Sequence, residues 1–224
     1  MADLIPHIDV NPKGKVKALV VWMHGLGDSG HGFAPLVPEL RLADELGIRF
    51  VFPHAPVKPI TINNNMPMRA WYDINSFDFN QRADEAGVRE SAQALQQLID
   101  YELDANQLSA DKLVIAGFSQ GAVMAYHLGC RQTQPAAGIL ALSGYLAMTD
   151  KLPTELSEAA KKTPILAMHG TQDEVVPCQL GKASAQAVKQ AGFDLRWQDY
   201  PMQHNVCTEQ VADISAWLTK ILAD

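Results

Sequence analysis

The chain has 224 residues, 47% of them hydrophobic, and a formal charge of −7 from 25 acidic and 18 basic side chains. That is enough apolar material for a substantial core in a single domain over residues 1–224, and the acidic balance, free of like-charge blocks, argues against nucleic acid or an anionic membrane surface as partner. No stretch approaches the ~20 apolar residues of a membrane span, and Met1 to Pro6 lacks the basic start and apolar core of a secretory signal, so the expectation is a cytoplasmic protein without integral membrane association.

In chain order, Leu4 to Asp9 reads as a short edge strand, and Asn11-Pro12-Lys13-Gly14 as a turn. Ala18 to Met23 is a continuous apolar run, as expected of a strand covered on both faces, and it stops at His24-Gly25-Leu26-Gly27-Asp28. Such a glycine-rich loop is either a plain tight turn or a backbone that offers the Leu26 N–H to an oxyanion. The spacing of Phe33, Leu36, Val37, Leu40 and Leu46 predicts a helix through Pro35 to Glu45, followed by a strand over Ile48 to Pro53. His54 to Gln81 is rich in proline and asparagine and reads as a long irregular loop, with Met66, Met68 and Trp71 lining a substrate groove or covering the sheet. Asp73 and Asp78 read as carboxylates that fix this loop.

Asp84 to Leu103 has the 3.6-residue period of an amphipathic helix. A strand over Lys112 to Ala116 then meets a helical run, Ala122 to Gly129. Further strands are expected at Gly138 to Ser143, Pro164 to Gly170 and Leu195 to Tyr200. Helices are expected as a turn ending near Lys162, over Gln179 to Gln190, and over Thr208 to Leu222. This alternation predicts an α/β fold, a mainly parallel sheet flanked by helices. Cys130, Cys178 and Cys207 are odd in number and lack C-x-x-C spacing, so they read as free thiols of a reducing compartment and give no zinc site.

The chemistry centres on Gly117-Phe118-Ser119-Gln120-Gly121, which joins a strand to a helix. Glycines two before and two after the serine remove side chains that would collide at a sharp corner, so Ser119 can present its hydroxyl as a nucleophile. Serine needs a base, usually a histidine oriented by a carboxylate. Of the histidines after the corner, His127 lies within the following helix and His169 ends a strand, which leaves His204 after the last strand. Asp173, after the next-to-last strand, is the preferred acid, with Glu174, Asp194 and Asp199 as alternatives. His24 and His169, each before a glycine, read as residues that hold loops.

These residues lie in five segments, namely His24 to Asp28, Pro67 to Asp73, Gly117 to Gly121, Gly170 to Asp173 and Tyr200 to His204. In that order and spacing they resemble the carboxylesterase and acyl-protein thioesterase family of α/β-hydrolases, over nearly the whole chain from about Val16. The resemblance implies an α/β-hydrolase fold without a separate lid domain and a triad of Ser119, Asp173 and His204. It also implies an oxyanion hole from the N–H groups of Leu26 and Gln120 and no metal or organic cofactor. It further implies a serine hydrolase of short- to medium-chain carboxylic esters and acyl-protein thioesters, acting on small-molecule esters or acylated proteins. Gln203 and Asn205 depart from the small residues that often flank the catalytic histidine in that family. A lysophospholipase and a non-catalytic binding protein on the same scaffold are the alternatives. Monomer and homodimer both stay open.

Overall fold

A computed structural model describes residues 4–79 and 83–223. Its main sheet has seven strands: β1 (His7–Val10), β2 (Ala18–Met23), β3 (Ile48–Pro53), then, past a two-stranded ribbon of β4 (Val57–Ile60) and β5 (Met66–Arg69), β6 (Leu113–Phe118), β7 (Gly138–Leu142), β8 (Ile165–Gly170) and β9 (Leu195–Tyr200). The spatial order is β1-β3-β2-β6-β7-β8-β9, and every pair is parallel except β1 with β3. Between the strands lie α1 (Gly30–Phe33), α2 (Leu36–Glu39), α3 (Glu85–Ala105), α4 (Gln120–Gly129), α5 (Leu152–Glu155), α6 (Cys178–Gln190) and α7 (Thr208–Leu222).

The period of two sorts the strand residues into two cores. Leu19, Val21, Met23, Ile115, Ile139, Ala141, Ile165 and Ala167 face a layer that includes Leu95, Leu98, Val123 and Val188 from α3, α4 and α6. Val20, Trp22, Phe52, Ala116, Leu140, Leu142 and Met168 face Leu40 and the α7 residues Ile214, Leu218 and Leu222. Burial on both faces explains why β2, β6, β7 and β8 are unbroken apolar runs. The carboxyl ends of the parallel strands point the same way, so the loops after β2, β6, β8 and β9 collect at one edge, where open α/β sheets hold their ligands.

Two segments differ from the sequence expectation. The helix expected over Pro35 to Glu45 is only the single turns α1 and α2 and a 3₁₀ turn at Asp44–Leu46. Pro38 has no N–H for a carbonyl one turn back, and Arg41 at φ 48° carries the chain out of helical conformation. The stretch read as irregular contains the β4–β5 ribbon, in which Val57 pairs with Arg69, Pro59 with Pro67 and Ile60 with Met66. Two opposed prolines fit a pair whose N–H positions point away from the partner strand. Asn64 and Asn65, at φ 54° and 57°, supply the left-handed turn. Asp73 fixes this region, accepting from the Thr61 N–H at 2.8 Å and from the Thr61 hydroxyl. The last two residues of the stretch, Asn80 and Gln81, lie outside the described residues.

Elsewhere the elements fall close to expectation. The first strand begins at His7 rather than Leu4, and α3 is capped by Asp84, which accepts from the N–H groups of Ala86 and Gly87. The three cysteines are unpaired. No helix among the described residues is long and apolar enough to cross a membrane.

The sheet edge is tied to α3 by an ion pair that no periodicity announced. Glu102, with a side chain 2% exposed, accepts from Arg49 Nε at 2.8 Å and Nη2 at 3.0 Å, and Arg49 also holds Asp9 on β1. Removing one partner strands a buried charge, so Arg49→Ala is expected to lower stability by about 3 kcal/mol. Urea unfolding measures this, and replacing both residues with apolar ones should restore most of the loss.

Candidate active site

Ser119 sits between β6 and α4 at φ 56° and ψ −117°, a left-handed conformation unfavourable for a residue with a side chain. Its N–H donates to the Leu142 carbonyl on β7 at 2.8 Å, and its carbonyl accepts from Ala122 N–H at 3.0 Å, so the corner is fixed from both sides. A side chain at Gly117 would run into the Gly121 carbonyl, and one at Gly121 into the Met23 carbonyl at the end of β2. The two glycines therefore let α4 start directly against the sheet.

The loops after β8 and β9 bring two residues to this corner. His204 Nδ1 lies 2.6 Å from Asp173 Oδ2, and His204 Nε2 lies 2.9 Å from Ser119 Oγ. A carboxylate only accepts, so Nδ1 carries the proton and Nε2 is left to accept from the serine hydroxyl. The ring packs on Phe118 at 4.8 Å, and Phe118 packs in turn on Phe33 at 5.4 Å. Asp173 Oδ1 accepts from the N–H groups of Val175 at 2.9 Å and Val176 at 2.8 Å, which aims Oδ2 at the histidine. The other acids considered, Glu174, Asp194 and Asp199, are exposed, and Asp199 is bonded to the Trp197 indole.

The remaining histidines are structural in their contacts. His169 is 1% exposed and donates from Nε2 to the Val176 carbonyl at 2.8 Å, bracing the Asp173 loop. His24, also 1% exposed, contacts the Gly25 carbonyl through Nδ1. Burial holds both below the ordinary histidine value, and it pushes His127 within α4 down to about 4.

The Leu26 and Gln120 N–H groups have no protein acceptor among the described residues. Gln120 begins α4, whose partial positive end favours a nearby anion. The Leu26 loop lies against the corner, since a side chain at Gly25 would stand 3.3 Å from Ser119 Cβ.

Of the groove residues expected from sequence, Trp71 does not line one. It is 0% exposed and donates its indole N–H to the His24 carbonyl at 2.9 Å, so an interior hydrogen-bond partner draws it inward. Met66 is 59% exposed at the start of β5. Met68 packs with Leu26, Ile60 and Ile62 in a small apolar cluster beside the Leu26 loop. On the His204 side, a cavity of about 450 Å³ is lined by Phe33, Leu36, Phe118, His204 and Val206 and also by the acidic Asp28 and Glu39. A larger one, about 540 Å³, adjoins it through Leu36, Glu39 and Val206 but does not reach the Ser119 corner. No group of three or more His, Cys, Asp or Glu side chains among the described residues is placed to hold a metal ion.

Sequence reasoning missed the Gln120 side chain. It is buried, accepting from Trp71 N–H at 2.7 Å and donating to the Tyr72 carbonyl at 2.8 Å, so it joins the helix that follows Ser119 to the segment after β5. No local pattern signals such a bridge, because its partners are 48 and 49 residues away.

Residues 7–222 match the family model described as Phospholipase/Carboxylesterase. The chain is 42% identical over 185 residues to acyl-protein thioesterase 1 of Schizosaccharomyces pombe, covering 83% of this chain and 81% of that protein. It is 39% identical over 214 residues to acyl-protein thioesterase 1 of Neurospora crassa, covering 92% and 87%. Among solved structures it resembles Arabidopsis thaliana SOBER1, with a TM-score of 0.87, 30% identity and coverage of 92% and 100%. It also resembles Zea mays acyl-protein thioesterase 2, with a TM-score of 0.86, 28% identity and coverage of 97% and 99%.

Gln120→Ala takes the side-chain acceptor away from the buried Trp71 N–H. At about 1–3 kcal/mol for such a group, a loss of that size is expected in denaturant unfolding.

Proposed function

The chain belongs to the phospholipase/carboxylesterase family of α/β-hydrolases and is a hydrolase, and from that premise we propose that it cleaves carboxylic esters and acyl-protein thioesters through an acyl-enzyme on Ser119. The observation that carries the reading is the continuous hydrogen-bond relay from Ser119 Oγ through His204 to the buried Asp173. As Ser119 Oγ attacks the acyl carbon, His204 Nε2 takes its proton and Asp173 stabilises the imidazolium that forms. The N–H groups of Leu26 and Gln120 receive the negative charge on the acyl oxygen, each donor being worth about 2.7–4 kcal/mol in such a site. His204 then protonates the departing thiolate or alkoxide. In the second half His204 takes a proton from water, which attacks the acyl-serine, and the carboxylic acid leaves as Ser119 recovers its proton.

We assign the acyl chain to the apolar surface of Met66, Met68 and Leu26, which supports short to medium chains on small esters and on acylated proteins. Three unpaired cysteines fit a reducing compartment, the cytoplasm.

Ser119→Ala is expected to abolish labelling by a fluorophosphonate probe while leaving the melting temperature nearly unchanged. Persistent labelling of that variant would remove Ser119 from the mechanism, and absence of labelling in the unaltered protein would favour a non-catalytic role. Asp173→Asn should lower kcat by about 10⁴-fold with little change in KM. A panel of oxygen esters and matched thioesters of increasing chain length, with an acylated peptide and a lysophospholipid, reads the substrate preference directly.

A further inference from the structure

Strands β2 and β3 are each followed at once by a histidine, His24 and His54. The two segments that begin there are fastened to each other reciprocally. The Ala55 N–H donates to His24 Nε2 at 3.1 Å, and the Gly30 N–H donates to His54 Nδ1 at 3.0 Å. His24 Nδ1 lies 2.7 Å from the Gly25 carbonyl, so it carries the proton and Nε2 is bare. In His54 the bare nitrogen is Nδ1. An imidazolium has no acceptor nitrogen, so both fastenings exist only while both rings are neutral.

The Leu26 N–H lies in the segment between the two fastened points. Two further ties of that segment, Trp71 indole to the His24 carbonyl and Gly27 N–H to the Arg69 carbonyl at 2.8 Å, do not titrate, and within it the Asp28 carboxylate accepts from the Ser29 N–H at 2.7 Å. The charged and titratable groups around the clasp mostly oppose protonation. His54 faces the ring of His31 at 5.2 Å and feels Arg69 and His7, while His24 feels Arg69 and His54, with Asp28 pulling the other way. Arg69 itself is held close by its bond to the Ala55 carbonyl at 2.8 Å.

We infer that His54 is a positioning residue for hydrolysis: with His24 it forms a neutral-imidazole clasp that holds the Leu26 N–H in place, and loss of this clasp adds to the acid limit of activity. The inference rests on the reading of Leu26 as an oxyanion donor. Burial, the largest cause in each case, lowers the affinity of both rings for a proton. The clasp is therefore intact above the ordinary histidine value of about 6.5 and is lost as pH falls below it through the lowered values. A single base gives a limb of unit slope in log(kcat/KM) against pH, and additional required neutral groups make it steeper.

The test compares the unaltered protein, His54→Leu and His54→Asn on an activated p-nitrophenyl ester from pH 8 to pH 4.5, with melting temperatures at each pH. Asparagine can present an oxygen near the position of Nδ1 without titrating. The unaltered protein should show an acid limb steeper than unit slope. His54→Leu should lose about tenfold or more in kcat at pH 8 with little change in KM, the scale of a displaced catalytic group. His54→Asn should restore most of that loss and show a shallower limb. Unit slope in the unaltered protein, with a superimposed His54→Asn profile, overturns the inference whether or not the leucine variant folds; so does full activity in a folded His54→Leu. Nitrogen NMR of the rings at pH 7.5 should show Nδ1 of His54 and Nε2 of His24 unprotonated, and the opposite tautomers also overturn it. Fluorophosphonate labelling of Ser119→Ala separates the two levels. If labelling is lost while His54→Leu behaves as the unaltered protein, the clasp alone fails; if labelling persists, the serine mechanism and the clasp's role in it fail together.

Discussion

The contact on which the rest of the site depends is the approach of Gly121 to the end of β2, where backbone meets backbone with no room for a side chain. Helix α4 can therefore begin immediately after β6 and close against the neighbouring strand. That closure brings the corner to the loop after β2, while the Ser119 N–H ties it to β7. A helix started one ångström further out would separate the hydroxyl from both the histidine and the backbone donors. Interiors are packed densely enough that such a displacement would not be absorbed locally.

Around this contact the polar groups are paired in shells. Asp173 spends one oxygen on its own loop and the other on His204, and His169 secures the carbonyl of the same loop. Gln120 repeats the logic on the other side, holding Trp71 and Tyr72, while Trp71 holds His24. Side chains whose donors and acceptors are committed elsewhere have few alternative positions. The site is thus ordered by bonds that exist without a ligand, which lowers the entropy lost when one binds.

Sequence patterns identified those parts of the fold whose cause is local. Strands β2, β3 and β9 and helix α7 are found at the expected residues: β2 and β3 are apolar or nearly so because both faces are covered, and α7 carries a 3.6-residue stripe toward the sheet. The helix expected before β3 shows the limit: its apolar spacing was real, but Pro38 and the left-handed Arg41 decided the backbone. The β4–β5 ribbon was hidden for the opposite reason, since opposed prolines look like strand breakers until their partner positions are known. In the site, the glycine-flanked corner singled out Ser119 and chain order left His204 as its partner, while Asp173 was preferred over Glu174, Asp194 and Asp199; Ser119, His204 and Asp173 meet in space across 85 and 31 residues. Trp71 misled because an aromatic residue in a long segment suggests a ligand surface, and only the distant His24 carbonyl reveals its inward role.

The left-handed backbone at Ser119 carries a further consequence. Its cost, of order 1–3 kcal/mol, belongs to the position and not to the hydroxyl, so every residue with a β-carbon bears it and glycine alone escapes. The sequence that folds most comfortably around this corner is thus one that lacks the Ser119 hydroxyl. With Ser119 as the proposed nucleophile, selection for robustness and selection for turnover pull against each other at one residue, and the surrounding core must supply the surplus stability that keeps a serine there.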